Sequence, residues 1–449
     1  MNKNLKKSKK VTYKEILLLA IVILIIFIIL EVSFRIYYGK NISVASSDQG
    51  CFKEYYKNLP TGGNFLNFQR GGYYIDDPVM GVTLKPNLVM DGIFPINNET
   101  GNVTGTKVFY NQHHNSAGMR NLQEFSVEKP KNINTRIAMY GDSFTYGHDS
   151  YLPLGMCNLL NEIVPNSEVM NFGIPGRGVD TFYLRYVLEG RKYKADIVVV
   201  NLYIEDLERP YITCAVDKPN ITIEKGKIKI GPRQYPTLQD FYYSYKTPKY
   251  ESYFVNHALL TINTYREHEL YMEKGFKLFD VMLDDIKAKT DEDGSHLIVG
   301  LIMQENPPQI IKDYDQKIKM LLDEKKIFYY DSTDYFSQKK PEYKRQSFYY
   351  ISETMISSHF GPIGNALYAQ GLKDKMYSLG WINDSTYYYY ANYGIAKPMV
   401  LLDNNFTSQK IIYPYGFEAA NYSVSLLPKS NRKLFMYNYS NGEIFEQYS

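Results

Sequence analysis

The chain has 449 residues, is 44% hydrophobic and 22% charged, and carries a formal net charge of +3. It is long enough for one large domain with additions, or for two, and too apolar for a disordered chain. The charge is uneven: residues 1–40 hold +6, from six lysines, Arg35 and Lys40 against Glu15 and Glu31, leaving −3 on the remainder and no basic face for nucleic acid.

In chain order, the first predicted element follows the basic segment 1–15. "ILLLAIVILIIFIIL", Ile16 to Leu30, holds no charge, and Val32, Ser33 and Phe34 extend it toward the ~20 residues of a spanning helix. A cleaved signal has a shorter apolar core followed at once by a small-x-small site, whereas this run leads into "EVSFRIYYGK". Residues 16–34 therefore read as an uncleaved transmembrane signal anchor, single-pass. The lysines place the N-terminus in the cytoplasm and the chain after Lys40 outside. Cys51, Cys157 and Cys214 are an odd number, enough for one disulfide and a spare thiol, with no metal-knuckle or redox-pair spacing.

Residues 35–130 form a Gly-, Asn- and Tyr-rich segment with short strand-like pieces such as "GVTLKPN" and "KVFYNQ". Over 131–380 the texture becomes α/β: strands "RIAMYG", "EVMNFG", "ADIVVVNLYI", "LIVGLIM" and "IFYYDS" alternate with amphipathic helices, the last being "PIGNALYAQGLKDKMYSLG". Continuous apolar strands between helices predict a five-stranded parallel sheet, order 2-1-3-4-5, covered on both faces, with ligands at the strands' C-terminal ends. An insertion at about 210–250 contains a hairpin, "ITIEKGKIKI", turning at Lys225 and Gly226. Residues 381–449, Tyr- and Asn-rich, read as a small β appendage.

Ser143, in "IAMYGDSFTYG", ends the first strand and starts a helix, where unpaired backbone N–H groups point outward. Alone it reads more readily as an N-cap serine than as a nucleophile. The glycine-rich "NFGIPGRG", Asn171 to Gly178, ends the second strand; its spacing fits neither a phosphate loop nor a dinucleotide fingerprint, and the N–H of Gly173 reads better as an oxyanion donor beside that of Ser143. A serine needs a base. Of seven histidines, His113 and His114 are adjacent on a strand and point to opposite faces, His148 lies on the rim of the serine loop, and His257, His268 and His296 fall on helical or pre-strand segments. His359, in a loop before the last helix, returns to the sheet edge that carries Ser143.

"GDSF", "NFGIPGRG" and "HFGPIGNALYA", each in order after its element, together with "DDPVMGVTLKPN" and "NSAGMR" upstream, resemble the blocks of the SGNH/GDSL hydrolases and their membrane-anchored, extracytoplasmic members. The resemblance covers most of residues 73–380. It implies a flavodoxin-like three-layer fold, with Ser143 as nucleophile, Gly173 as oxyanion donor and His359 as base. Two positions depart from the pattern. Glu205, in "NLYIEDL", stands where the family offers an Asn amide, and an ionised Glu cannot donate. Ser357 and Ile356 stand where the family has an Asp, the nearest preceding carboxylate being Glu353. The combined reading is a Ser-His serine esterase or O-acyltransferase acting on acyl groups of cell-surface glycans through an acyl-enzyme, with no metal or organic cofactor; its partners are an acylated glycan or small ester and the membrane. The alternative is a catalytically degenerate surface-glycan binding or assembly protein.

Overall fold

The computed structural model describes residues 12–38, 74–97, 103–148, 150, 152, 155–211, 219–233, 252–302, 307–339, 349–351, 356–360, 362–383, 389–392, 399–402, 409–412, 434–438 and 443–447. Cys51, Cys214 and Glu353, with the side chains of His257 and Ser357, lie outside the described residues. Two compact units form, one of them containing helix α1 (Tyr13–Tyr38) and residues 252–270. Along α1 the apolar side chains are exposed on every face, and the stretch Tyr13–Ile36, with mean hydropathy 3.3, is long and apolar enough to cross a membrane. Near its end Glu31 accepts from Arg35 Nε at 2.7 Å, from Ser252 Oγ at 2.7 Å and from the Phe254 N–H at 3.0 Å. The Phe254 ring meets Phe27 and Phe34 edge-on, each at 5.7 Å. A carboxylate is thereby placed at the opening turn of the helix that begins at Tyr253, where unpaired N–H groups favour negative charge.

The second unit opens with two antiparallel pairs, β1 (Tyr74–Asp77) with β2 (Gly81–Leu84) and β3 (Val89–Asn97) with β4 (Val103–His113). Then come β5 (Thr135–Tyr140), α2 (Ser143–Tyr146), α3 (Met156–Ile163), β6 (Ser167–Asn171), α4 (Val179–Arg185) and β7 (Ile197–Leu202). The hairpin β8 (Pro219–Glu224) and β9 (Lys227–Arg233) turns through Lys225 and Gly226, both at positive φ, as a two-residue connection requires. Next are α5 (Tyr253–Asp293), of which residues 271–293 belong to this unit, β10 (His296–Leu301), α6 (Gln309–Glu324), β11 (Phe328–Asp331) and α7 (Ser332–Lys339). A short pair, β12 (Tyr349–Ile351) with β13 (Ile356–Phe360), precedes α8 (Pro362–Ser378). Beyond α8 lie a three-stranded antiparallel sheet, β14 (Tyr389–Asn392), β15 (Met399–Leu402) and β16 (Gln409–Ile412), and the pair β17 (Leu434–Asn438) and β18 (Glu443–Gln447).

The central sheet runs β6-β5-β7-β10-β11, all parallel, which is the predicted 2-1-3-4-5 order. Strand periodicity divides the core in two. Ala138, Tyr140, Val198, Val200 and Val299 pack on one face with α4, α6 and the later turns of α5. Ile137, Met139, Val199 and Ile298 pack on the other with α3, α7 and α8. An α/β three-layer architecture results. Helix α4 continues through a wide turn with i→i+5 bonds at Tyr186–Gly190 and a tight one at Arg191–Tyr193. Gly190 there lies so close to the Tyr140 hydroxyl that a Cβ would come within 1.8 Å of it.

Three elements differ from expectation. Helix α5 begins at Tyr253, directly after the insertion expected at about 210–250, and runs for 41 residues. The β3–β4 pair includes a segment with Gly92 and Pro95 whose composition hides its strand character. His359 sits on a strand, β13, and not in a loop.

At the end of β4, His113 is half-buried while His114 is buried. His114 Nδ1 lies 2.8 Å from the Lys85 carbonyl and Nε2 lies 2.9 Å from the Tyr146 hydroxyl. The carbonyl can only accept, so a neutral ring carries its proton on Nδ1, and its Nε2 faces a Tyr146 hydroxyl that also donates to Gln112 Oε1. Burial, reinforced by the Arg120 and Arg185 charges, pulls the His114 pKa from 6.5 down to about 3. Below pH 6.5 the unfolded chain therefore takes up a proton that the folded chain refuses, and stability drops as pH falls toward 3, by up to about 1.4 kcal/mol per pH unit. Thermal melts of the detergent-solubilised chain between pH 7.5 and 4.5 should show this decline, and His114→Gln should have a shallower pH dependence across the same range.

Candidate active site

The parallel sheet delivers β5, β6 and β7 to one edge, and the turns leaving them build the site. After β5, Asp142 caps α2: its Oδ1 accepts from the Phe144 N–H at 2.9 Å, and α2 closes on Gly147 in the left-handed conformation. Ser143 is the first residue of that helix. Its side chain is largely buried, and its backbone N–H has no acceptor among the described residues. The Ser143 hydroxyl lies 2.7 Å from His359 Nε2 and 3.2 Å from Asp142 Oδ2. The His359 ring is flanked by Phe144 at 5.1 Å and His148 at 5.5 Å between centroids.

The turn after β6 packs directly on α2. A Cβ on Gly173 would come within 2.3 Å of the Tyr146 nitrogen, so a glycine is required for this approach. The Gly173 N–H, expected as an oxyanion donor, donates to Asn171 Oδ1 at 2.9 Å. The turn after β7 is a short 3₁₀ segment, Ile204–Leu207. Glu205 is half-buried there and bears electrostatically on Asp206 and Arg209. Asp206 is fully buried, accepts from the Tyr203 N–H at 3.1 Å and pairs with Arg209. Burial pushes the Asp206 carboxyl upward, against the pull of that guanidinium. Arg209 also donates to Asp142 Oδ2 at 2.8 Å and to the Arg177 carbonyl at 3.2 Å.

Of the predicted residues, Ser143 and His359 are in hydrogen-bonding distance, Gly173 abuts the serine helix, and Glu205 occupies the third turn. Ser357 lies two residues before His359 on β13. His148 follows α2 and stands edge-on to His359, while His296 stacks on Trp381 at 4.4 Å, away from the serine turn. Cys157 is a buried free thiol, its pKa pushed up by burial.

Several residues that organise the site were not picked out from the sequence. Arg120, fully buried, donates to the carbonyls of Tyr146 at 2.7 Å, Gly147 at 2.6 Å and Ser150 at 2.7 Å. The first two are the carbonyls that emerge at the end of α2, and the third lies three residues beyond its cap. Asn121 bridges to the Val169 carbonyl and the Asn171 N–H, fixing the end of β6. The Ser150 hydroxyl and the Asn365 amide each reach the Phe360 carbonyl at 3.4 Å, and Asn365 also donates to Ser150 Oγ at 2.7 Å. The residue after His359 is thus bonded to the segment after Ser143. "NSAGMR", noted above only for its resemblance, contains Arg120, and Asn121 follows it directly. A further chain runs from Tyr368 Oη through Asn201 to Thr145 Oγ1, at 2.7 and 2.9 Å.

No family model matches the sequence, and no curated protein matches it. Among solved structures, the chain is similar to a lipolytic protein of the G-D-S-L family from Desulfitobacterium hafniense DCB-2, at 12% identity over 54% of this chain and 99% of that one, TM-score 0.34. It is similar to a catalytic variant of the acetylxylan esterase Axe2 from Geobacillus stearothermophilus, at 14% identity over 56% and 98%, TM-score 0.33. It is also similar to LAE5, an α/β hydrolase from the metagenome of Lake Arreo, Spain, at 14% identity over 56% and 98%, TM-score 0.34.

Replacing Arg120 leaves three buried carbonyls without their charged donor. Arg120→Met should lower stability by about 3 kcal/mol or more, read as an earlier unfolding transition in denaturant.

Proposed function

We propose that the chain is a membrane-anchored serine esterase or acyltransferase, with Ser143 as nucleophile and His359 as general base. The observation that carries this reading is the 2.7 Å separation between Ser143 Oγ and His359 Nε2 at the C-terminal edge of the parallel sheet. With Nε2 accepting, the imidazole takes the hydroxyl proton as Oγ attacks the carbonyl carbon of an ester. The tetrahedral intermediate collapses, its alcohol leaving with the proton from His359, and the acyl group stays on Ser143. Water or a second hydroxyl then attacks that acyl-enzyme with His359 again accepting the proton, releasing an acid or a new ester.

The Ser143 N–H supports the oxyanion role expected of it, since it is available at the start of α2. Gly173 joins it by sharing its N–H between Asn171 Oδ1 and the oxyanion, or by releasing Asn171 when substrate binds. Glu205 supplies no donor while ionised. In the sequence Ser357 stands where the family has an Asp, and we read the pair as a Ser-His dyad, with the Asn365–Ser150–Phe360 bonds holding the residue that follows the base. Acyl groups on cell-surface glycans are the proposed substrates. That choice rests on the exposed apolar helix α1, preceded by lysines, which would hold the rest of the chain outside the membrane.

A second reading, a catalytically silent glycan-binding or assembly protein, is favoured by the engagement of the Gly173 N–H and by Glu205 in the third turn. Hydrolysis of p-nitrophenyl acetate by the solubilised chain separates the two. The enzymatic reading expects release of p-nitrophenol that falls to background in Ser143→Ala and by about 10²–10⁴-fold in His359→Ala. Equal rates in the wild type and Ser143→Ala would leave the silent reading.

A further inference from the structure

We propose that Arg209 is a positioning residue for the nucleophile: by binding Asp142 it ties the loops after β5, β6 and β7 together and leaves His359 as the effective acceptor of the Ser143 proton. This rests on the reading of Ser143 as nucleophile. Three loops supply its partners, Asp142 after β5, the Arg177 carbonyl after β6 and Asp206 after β7. Such convergence needs close backbone approach. A Cβ on Gly178 would fall 2.6 Å from the Asp206 carbonyl oxygen and 2.7 Å from Arg209 Cβ.

The serine hydroxyl has one proton and two acceptors, His359 Nε2 at 2.7 Å and Asp142 Oδ2 at 3.2 Å. Only transfer to the imidazole prepares attack, because an ionised Asp is a far weaker base than a neutral His. Arg209 donates to the same Oδ2 at 2.8 Å, occupying a lone pair and offsetting its charge. Asp142 is 2% exposed and Asp206 is fully buried, so without the guanidinium two desolvated carboxylates would face each other beside the position where an oxyanion grows. Glu205 adds a third acidic group acting on Arg209. The guanidinium also lies over the Tyr203 ring at 5.8 Å, and that ring packs on Phe144, next to the serine.

The rate at which a fluorophosphonate labels Ser143 in the solubilised full chain tests this. Arg209→Gln is expected to slow labelling about tenfold or more, and Asp142→Asn, which keeps the oxygen that caps α2, is expected to relieve most of that loss in the double variant. A purely structural clamp would give no such relief. Arg209→Lys, which keeps the charge on a shorter side chain whose ammonium falls short of the Nη1 position, is expected to label at an intermediate rate; should Arg209→Gln lose its far-UV circular dichroism, the cycle is read with Lys. An unchanged rate in Arg209→Gln, or the same loss with and without Asp142→Asn, overturns the inference and leaves the nucleophile standing. No labelling of the wild type beside a control esterase that reacts overturns both.

Discussion

A hydroxyl and an imidazole 216 residues apart in the chain can meet only if the strands preceding them end on one side of the molecule. Parallel pairing of β5 with β6 and β7 fixes that side for Ser143 and the turns beside it, and β13, outside the parallel sheet, carries His359 to it. Each crossover returns the chain to the opposite edge, so every turn that leaves a strand's C-terminal end arrives at the same rim. The apolar content of both strand faces makes such a sheet stable, since it must be covered by helices on each side. Hydrophobic pattern thus determines where the polar groups of the site can gather.

Gathering backbone turns at a buried rim has a cost, because carbonyls and amides that leave secondary structure still need partners. The chain answers with side chains borrowed from outside the sheet. Arg120 satisfies the carbonyls at the end of α2, Asn121 stitches the end of β6, and Asn365 with Ser150 secures the carbonyl beside His359. His114 and Tyr146 extend the same network behind the serine helix. A cation as buried as Arg120 is tolerated because its Nη1 and Nη2 groups meet carbonyls, a fixed geometry that also fixes the loops it touches.

The parallel sheet and its order were legible because continuous apolar strands alternate with helices of 3.6-residue period, a local signal. The turn at Lys225 and Gly226 was legible for the same reason. Ser143 and His359 could be singled out by residue type and by their places at element ends. Arg209 could not, since apart from Asp206, three residues before it, its partners lie 67 and 32 residues away and nothing in "DLER" announces them. Arg120 and Asn365 escaped likewise, being ordinary polar residues until the fold surrounds them. The early turns of α5 were hidden by aromatic residues without clear periodicity, and β13 by its run of Ser, Ser and His, which lacks the alternation of a half-buried strand.

The wide turn between α4 and Arg191 has a bearing on how this sequence can change. A helix that spends one extra residue on a single turn offers a natural place for a deletion, yet here the surplus residue sets the angular phase of all that follows. Arg191 beyond it bonds Glu292 and Asp293, and the Tyr193 carbonyl accepts from buried Arg136. Removing one residue would swing those groups by about 100° around the helix axis. Insertions and deletions in this connection are therefore constrained by anchors at its far end, even though the turn touches no reacting atom.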